Sequence, residues 1–504
     1  MSDQGASYRR ILKSSSIVGG ASVINILIGL VRTKVLAVLL GPTGIGLVSL
    51  YSGVMATATA MASMGIGTVG TRQIAEAIGK EDARALAVAR RAMFWGALLL
   101  AGVGGAVTWS LRELLAVHVL GSATHAGIVG WLALGVALSV AGASQAALIQ
   151  GMRRMGDIAR LSVFGAVLHT VFGLGLLWHW GTAGLVAYVL VGPLSSFLLG
   201  HWFVSRLPKA ASGSISVQDM THQWQMLVRL GIPFMGAGLV NTLVQLWIRV
   251  EVGNTLGAES LGHFQAAWTI SMQYIGFVLA AMGADYYPRL TSVIHDHRAA
   301  AQLVNEQTEI ALLLSAPVFI AMIGLTPWVI ELLYSKEFLP AVEVLRWQIL
   351  GDVLKVASWP LGFVMLAGGA GKLFFFSETI VLLLMGALIA GLSTTIGLEI
   401  TGISFLACYA VYLPLVYALA RRSIKFRWQE NIKQLLLAIF LVCIFIAILS
   451  RYFWWSSVVS IIFSFIFGLY TFVRLSQMSN LTGAIGRLSM AVQKLMAKLG
   501  IKHG

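Results

Sequence analysis

Residues 17–40 read Ile-Val-Gly-Gly-Ala-Ser-Val-Ile-Asn25-Ile-Leu-Ile-Gly-Leu-Val-Arg32-Thr-Lys34-Val-Leu-Ala-Val-Leu-Leu, and Gly41-Pro-Thr-Gly-Ile-Gly46 follows at once. A helix needs about 20 apolar residues to cross a bilayer, so this stretch has full spanning length. A secretory h-region is shorter, about 7–15 residues, and ends at a small-residue cleavage site. We therefore expect a retained first span. The polar residues before it carry Arg9, Arg10 and Lys13, and that basic flank predicts a cytoplasmic N-terminus.

The rest of the chain has the same character. Of its 504 residues 58% are hydrophobic and 11% charged, with mean hydropathy +0.84. An ordinary soluble domain is about 25% charged. This composition excludes a soluble globular protein, a disordered chain, and nucleic-acid binding as the meaning of the net charge of +15. Cys408 and Cys443 sit in apolar runs and form neither a disulfide framework nor a metal motif. Fourteen spans are predicted, at residues 16–40, 45–69, 92–110, 128–150, 161–178, 183–205, 231–253, 261–284, 310–334, 347–367, 373–395, 402–420, 434–450 and 456–473. These runs are longer than strands and do not alternate, which argues against a β-barrel. With the N-terminus inside, 27 of the 35 Lys and Arg fall in the predicted inner segments and four in the outer loops; four more lie within spans. That skew follows the positive-inside rule, so topology accounts for most of the positive charge, and both termini are expected in the cytoplasm. Residues 482–499 carry Ile485, Leu488, Val492, Leu495 and Leu499 at helical spacing with Arg487, Lys494 and Lys498 between them, the pattern of an amphipathic helix on the inner leaflet.

An internal repeat underlies the spans. Asn25, Gly41, Gly46 and Gly67 reappear 216 residues later as Asn241, Gly257, Gly262 and Gly283. Gly151 and Gly184 find counterparts in Gly368 and Gly402 if the shift drifts to 217 and 218. A six-helix unit returns the chain to its starting side, so the two copies share one orientation. The expected fold is all-α and polytopic: two six-helix lobes in a parallel pseudo-two-fold repeat, residues 1–215 and 216–430, plus two further helices and a tail over 431–504. Transporters of this build place the substrate between the repeats.

Charge inside a span costs about 2.5–3.5 kcal/mol on insertion scales, which makes intramembrane ionisable residues functional candidates. Asn25, Gly29 and Arg32 share one face of the first span, and Asn241, Gln245 and Arg249 share one face of the seventh. Both thus carry an amide with an arginine about two turns further on. Lys34 points nearly opposite to Arg32 and is expected to snorkel to the outer interface. Asp352 and Lys355 stand three residues apart, so Asp352 reads either as a proton or sodium site or as a structural partner of Lys355. Glu251 is a second ion-coupling candidate. His169, His179 and His201 read as interfacial or packing residues. Arg32, Arg249 and Lys355 together imply an anionic substrate, since guanidinium gives phosphate a planar, permanently charged fork of donors. No metal ligand set, nucleotide loop or cofactor motif is visible.

The stretch from Gly29 through Arg32 to Gly41-Pro-Thr-Gly-Ile-Gly46 resembles the first helix and loop of bacterial oligosaccharide flippases. These are the O-antigen translocase type, in the polysaccharide transport family of the multidrug/oligosaccharidyl-lipid/polysaccharide superfamily. Met64-Gly-Ile-Gly67 with Arg72 and Glu76, Phe338-Leu-Pro340-Ala341 and Met365-Leu-Ala-Gly-Gly-Ala-Gly-Lys372 are similar to later stretches of the same family. The resemblance, over residues 10–420, implies a two-lobed carrier in the bacterial inner membrane. Its substrate would be a polyprenyl-pyrophosphate-linked oligosaccharide, an O-antigen or exopolysaccharide repeat unit, moved by alternating access. It also implies an arginine-lined cavity to which Arg32 belongs, and as partners membrane lipids, a polysaccharide polymerase and a chain-length regulator. A multidrug or cation antiporter of that superfamily would want acids where the first span offers bases. A membrane polymerase or ligase would need chemistry displayed on a large outer loop, and the outer loops are short.

Overall fold

The computed structural model describes residues 2–208 and 217–478, with side chains from residue 17 onward except at 217, 233, 234, 237, 277, 278, 280–282, 284 and 478; the amphipathic segment expected over 482–499 lies outside the described residues. Within hydrocarbon no water can take up backbone groups, so a spanning segment must close its hydrogen bonds internally. The apolar runs accordingly form helices: α1 (Ser2–Ala62), α2 (Ile66–Gly79), α3 (Ala83–Ser110), α4 (Arg112–Leu120), α5 (Ala126–Gly151), α6 (Met155–Trp180), α7 (Leu185–Ser205), α8 (Val217–Val293), α9 (His297–Leu333), α10 (Ala341–Ala367), α11 (Gly371–Ile396), α12 (Ile400–Ile424), α13 (Glu430–Tyr452) and α14 (Ser456–Met478). Nine stretches of the described residues are long and apolar enough to cross a membrane, and three of them, at 46, 51 and 54 residues, each hold two of the predicted spans. The chain is an all-helical, multi-pass membrane protein. Exposed Trp180, Trp328 and Trp454 mark helix ends, where indole rings suit the membrane–water interface.

Two predicted boundaries shift, each for a backbone reason. Spans one and two are joined without a loop: Gly41 alone leaves helical geometry (φ 61, ψ −170), and Pro42 opens the next helical segment. The second span ends at Ala62 rather than residue 69, because Met64 (φ 43) and Gly65 (φ 72) are both left-handed. Residues beyond that break form the separate α2, which buries Ile66, Val69, Ile74 and Ala77 and pairs Arg72 with Glu76 at 2.7 Å on its exposed side. Other helices outrun their predicted spans by capped polar turns. Asp82 accepts from Ala85 N to start α3, and Asp296 Oδ1 accepts from Arg298 and Ala299 N to start α9, as N-cap side chains do.

Several local backbone features recur at a spacing of 216 residues. α8 breaks at Gly257 (φ 88, ψ 164) as α1 breaks at Gly41. The corner after α5 has N–H to carbonyl bonds Met152–Leu148, Arg153–Gln150 and Arg154–Ile149, and the corner after α10 has Gly368–Val364, Gly369–Leu366 and Ala370–Met365. Every member of the second set lies 216 residues beyond its counterpart. Gly181 (φ 55) and Gly397 (φ 75) then end α6 and α11 alike. The drift expected from Gly368 and Gly402 is thereby corrected. At these corners the shift stays at 216, so Gly368 answers to Met152, and the glycine match with Gly151 was coincidental in a chain with 54 glycines.

Two compact units form. The first runs to Gly262 and includes Leu333–Glu337; the second takes the described chain from His263, apart from that short segment. In the first, Ile74, Ala89, Met93, Ala147, Leu148 and Leu207 make one core cluster and Ile66, Val69, Ala97 and Leu227 another. This unit also contains the first segment of α8, which crosses α1 closely. A Cβ on Gly46 would overlap the carbonyl oxygen of Ala258, and one on Gly262 would overlap that of Pro42. Residues 42 and 258 are related by the same 216 as 46 and 262, so the contact is reciprocal, as a local two-fold relation requires.

In the second unit α10 is central and largely buried, whereas α13 and α14 are mostly exposed. Both α13 and α14 are peripheral, and α14 is specifically attached. Pro317 in α9 has no N–H, which leaves the carbonyl four residues back, Leu313, without its helical donor. Thr471 Oγ1 on α14 supplies that bond at 2.8 Å. Ser464, Ser460 and Ser457 then donate to the carbonyls of Pro317, Ile320 and Gly324 at 2.8, 2.7 and 2.9 Å, which runs α14 antiparallel to α9. Arg474 pairs with Glu309 at 2.8 Å near one end of this seam. Arg451 bridges Glu343 and Glu399 at the opposite end of α13. Cys408 and Cys443 are buried and unpaired.

Candidate functional site

The first unit holds both predicted arginines. On α1, Asn25 Nδ2 donates to Ser162 Oγ on α6 at 2.6 Å, and Arg32 Nη1 stands 3.0 Å from His169 Nδ1 on the same helix. Seven residues separate the rungs on each helix, so α1 and α6 run parallel, as the first and fifth spans should. About 10 Å of helix lies between the rungs at 1.5 Å per residue. His169 was expected to be an interfacial or packing residue; the structure makes it the partner of Arg32. Its ring lies 4.9 Å from that of Tyr188, in a slot where Gly173 and Gly192 come so near that a Cβ on either would be 3.2 Å from an imidazole atom. Among the described residues Arg32 pairs with no carboxylate, although it is half-buried in a spanning helix.

On α8, Gln245 Nε2 donates to Asn241 Oδ1 at 2.6 Å, which confirms that the two share a face. Arg249 is half-buried one turn on and lies over Gly53 of α1. A Cβ there would stand 3.5 Å from Arg249 Nη1 and 3.1 Å from Leu246 Cδ1. Thr57 Oγ1 reaches the Thr242 carbonyl at 3.3 Å. The second segment of α1 and the first of α8 therefore run antiparallel, with Gly53 making the space that Arg249 occupies. Glu251, half-buried, accepts through its carbonyl from Thr255 Oγ1 at 2.6 Å. Lys34 is half-buried as well.

The second unit holds Asp352 and Lys355, and the structure does not join them as an ion pair. Asp352 is fully buried, and its Oδ2 accepts from Ser271 Oγ at 2.6 Å and Tyr274 OH at 2.5 Å, both on α8. The ammonium of Lys355 instead lies 3.4 Å from Met272 Sδ and 5.5 Å from the ring centres of Phe405 and Tyr409. Both hydroxyls serve the same carboxylate oxygen, and two ring faces can hold an ammonium by their quadrupoles. Gln348, one turn before Asp352 and also fully buried, went unnoticed in the sequence; among the described residues its Oε1 and Nε2, like Asp352 Oδ1, have no hydrogen-bond partner. Buried polar atoms of that kind ask for a water or an ion. Among the described residues no three His, Cys, Asp or Glu side chains stand together as a metal set.

Ser162, His169, Ser271 and Tyr274 were missed because each acts through a partner at least 78 residues away. A histidine in an apolar run was the one available signal, since an ionisable group there is costly.

What these helices define is a multi-pass membrane protein with the architecture of the MOP-superfamily transporters. The inward-facing structure of a multidrug resistance MATE family transporter of that superfamily is 16% identical, with TM-score 0.66 over 81% of this chain and 96% of its own. The lipid II flippase MurJ in its inward closed conformation is 14% identical, with TM-score 0.69 over 92% of this chain and 99% of its own. The sequence narrows the class: residues 35–343 match the polysaccharide biosynthesis protein family, and the chain belongs to it. The lipid III flippase of Escherichia coli (strain K12) is 23% identical over 429 residues, which cover 82% of this chain and 99% of that one.

Proposed function

We propose that the protein is a flippase. It moves a polyprenyl-pyrophosphate-linked oligosaccharide, of the kind that serves as an O-antigen or exopolysaccharide repeat unit, from the inner to the outer leaflet of the bacterial inner membrane. The observation that carries this reading is Arg32, a half-buried cation in a spanning helix whose partner is a histidine and not a carboxylate. Burying an uncompensated charge is expensive, and a dianionic head group is a ligand that compensates it. Arg249 offers a second guanidinium, and Asn25, Asn241 and Gln245 offer amides suited to phosphate oxygens and sugar hydroxyls. The relatives named lipid III flippase and lipid II flippase support the same substrate class.

In this reading the repeat units are residues 1–215 and 216–430, with 431–504 appended and both termini in the cytoplasm. Asp352, with Gln348 beside it, and Glu251 are the candidates for ion coupling. Lys355 serves the anion only in a conformation that releases it from Phe405 and Tyr409. A polysaccharide polymerase and a chain-length regulator are the partners expected. A drug antiporter of the same fold would place acids beside the first-span site, and among the described residues Arg32 pairs with none.

Complementation tests this. In cells lacking the protein, Arg32→Ala and Arg249→Ala at wild-type membrane levels should fail to restore glycan export. Each loses a charge-assisted contact worth about 1.5–3 kcal/mol. Arg→Lys keeps the charge without the fork and should restore part of it, while Lys34→Ala should export normally. Normal export by both Ala variants would overturn the cationic-site mechanism.

A further inference from the structure

We propose that His169 is a positioning residue for Arg32. By accepting one Nη1 hydrogen it fixes the guanidinium about its long side-chain axis and leaves the Nε and Nη2 donors free as a fork for the anion. This rests on the reading of Arg32 as a pyrophosphate ligand. Guanidinium is always protonated and has only donors, so at 3.0 Å from Nη1 the Nδ1 of His169 must be the acceptor. The ring is therefore neutral, with its proton on Nε2. An acidic partner in the same place would neutralise Arg32 and compete with phosphate for it; a neutral imidazole orients the cation and leaves its charge intact. The imidazole is itself held. Tyr188 lies against it at 4.9 Å, and Gly173 on α6 and Gly192 on α7 give it a slot without slack. One rung earlier Ser162 holds Asn25. Thus α6 supports α1 at both polar positions, and Arg32 keeps one orientation without a ligand. Pre-ordering a long side chain removes an entropy cost from binding.

The two amide substitutions separate this role from packing. Asparagine carries its carbonyl oxygen on the same Cγ that bears Nδ1, whereas glutamine places its amide near the position of Nε2 and fills the slot better. The measurement is the binding of farnesyl pyrophosphate by the purified full-length protein, with melting temperature recorded for every variant. His169→Asn should bind within about threefold of wild type, and His169→Gln and His169→Leu about tenfold more weakly. In an Arg32→Ala background, His169→Leu should have no further effect, because its action passes through the guanidinium. Suppose instead that Arg32→Ala is weak but His169→Gln binds as well as wild type and better than His169→Asn. The imidazole is then filler, and the positioning role is wrong while the substrate reading stands. If Arg32→Ala itself binds like wild type, the substrate reading fails and takes the positioning role with it. Should His169→Leu prove unstable, the Asn and Gln pair decides alone.

Discussion

Gly262 shows how a single position can carry the repeat. Its neighbour across the crossing is main chain, the carbonyl of Pro42, which cannot rotate away from an added methyl as a side chain could. Gly46 meets Ala258 in the same way. Gly262→Ala should therefore lower the melting temperature of the purified protein, at a cost of about 1–3 kcal/mol for overpacking. Gly102→Ala on α3, where a Cβ would meet nothing within 4 Å, should leave it unchanged or raise it, because alanine is the better helix former. Equal effects would mean that the crossing is looser than described. These glycines were legible in the sequence as a recurrent spacing, and close approach is the physical reason the spacing recurs. Arg32 and Arg249 were legible too, since charge in an apolar run is conspicuous. Their partners were not: nothing in residues 17–40 announces His169, and nothing beside Asp352 announces that Ser271 and Tyr274 would take the place offered to Lys355. Side-chain pairing across helices depends on rotation about each helix axis, which hydropathy does not specify.

Among elements, α14 is the one whose attachment can be dissected. Its four hydroxyls do not contribute equally. Thr471 serves the Leu313 carbonyl that Pro317 has orphaned, whereas Ser457 adds a second bond to a Gly324 carbonyl inside a continuous helix. Leaving a buried acceptor unmade costs about 1–3 kcal/mol, while a supplementary interhelical bond in membrane proteins averages about 0.6 kcal/mol. Thr471→Val should thus destabilise more than Ser457→Ala in chemical or thermal denaturation. Pro317→Ala should rescue most of the Thr471→Val loss by restoring the missing N–H. Additive losses in the double variant would contradict the proline account. At this scale the sequence was informative about existence and less so about ends. Hydropathy located every long helix but stopped where charge began, short of the turns that Asp82 and Asp296 cap. It also ran through Met64–Gly65, because left-handed residues leave no mark on an apolar average.

For the whole molecule, length, composition and the skew of lysine and arginine pointed to a multi-pass, all-helical protein. The long apolar helices bear this out, and membership of the polysaccharide biosynthesis protein family fits that reading. What the molecule moves is the central claim, and transport in a defined bilayer tests it most directly. The purified protein is placed in liposomes with a fluorescent polyprenyl-pyrophosphate-linked oligosaccharide in both leaflets, and an impermeant quencher or glycosidase reports which head groups are outside. Liposomes without protein should protect about half of the label, because a charged glycan head group does not cross hydrocarbon unaided. Wild-type protein should expose the protected half within minutes, and Arg32→Ala should leave it protected. Protection that persists with folded wild-type protein under an imposed sodium or proton gradient of either sign would contradict the flippase account.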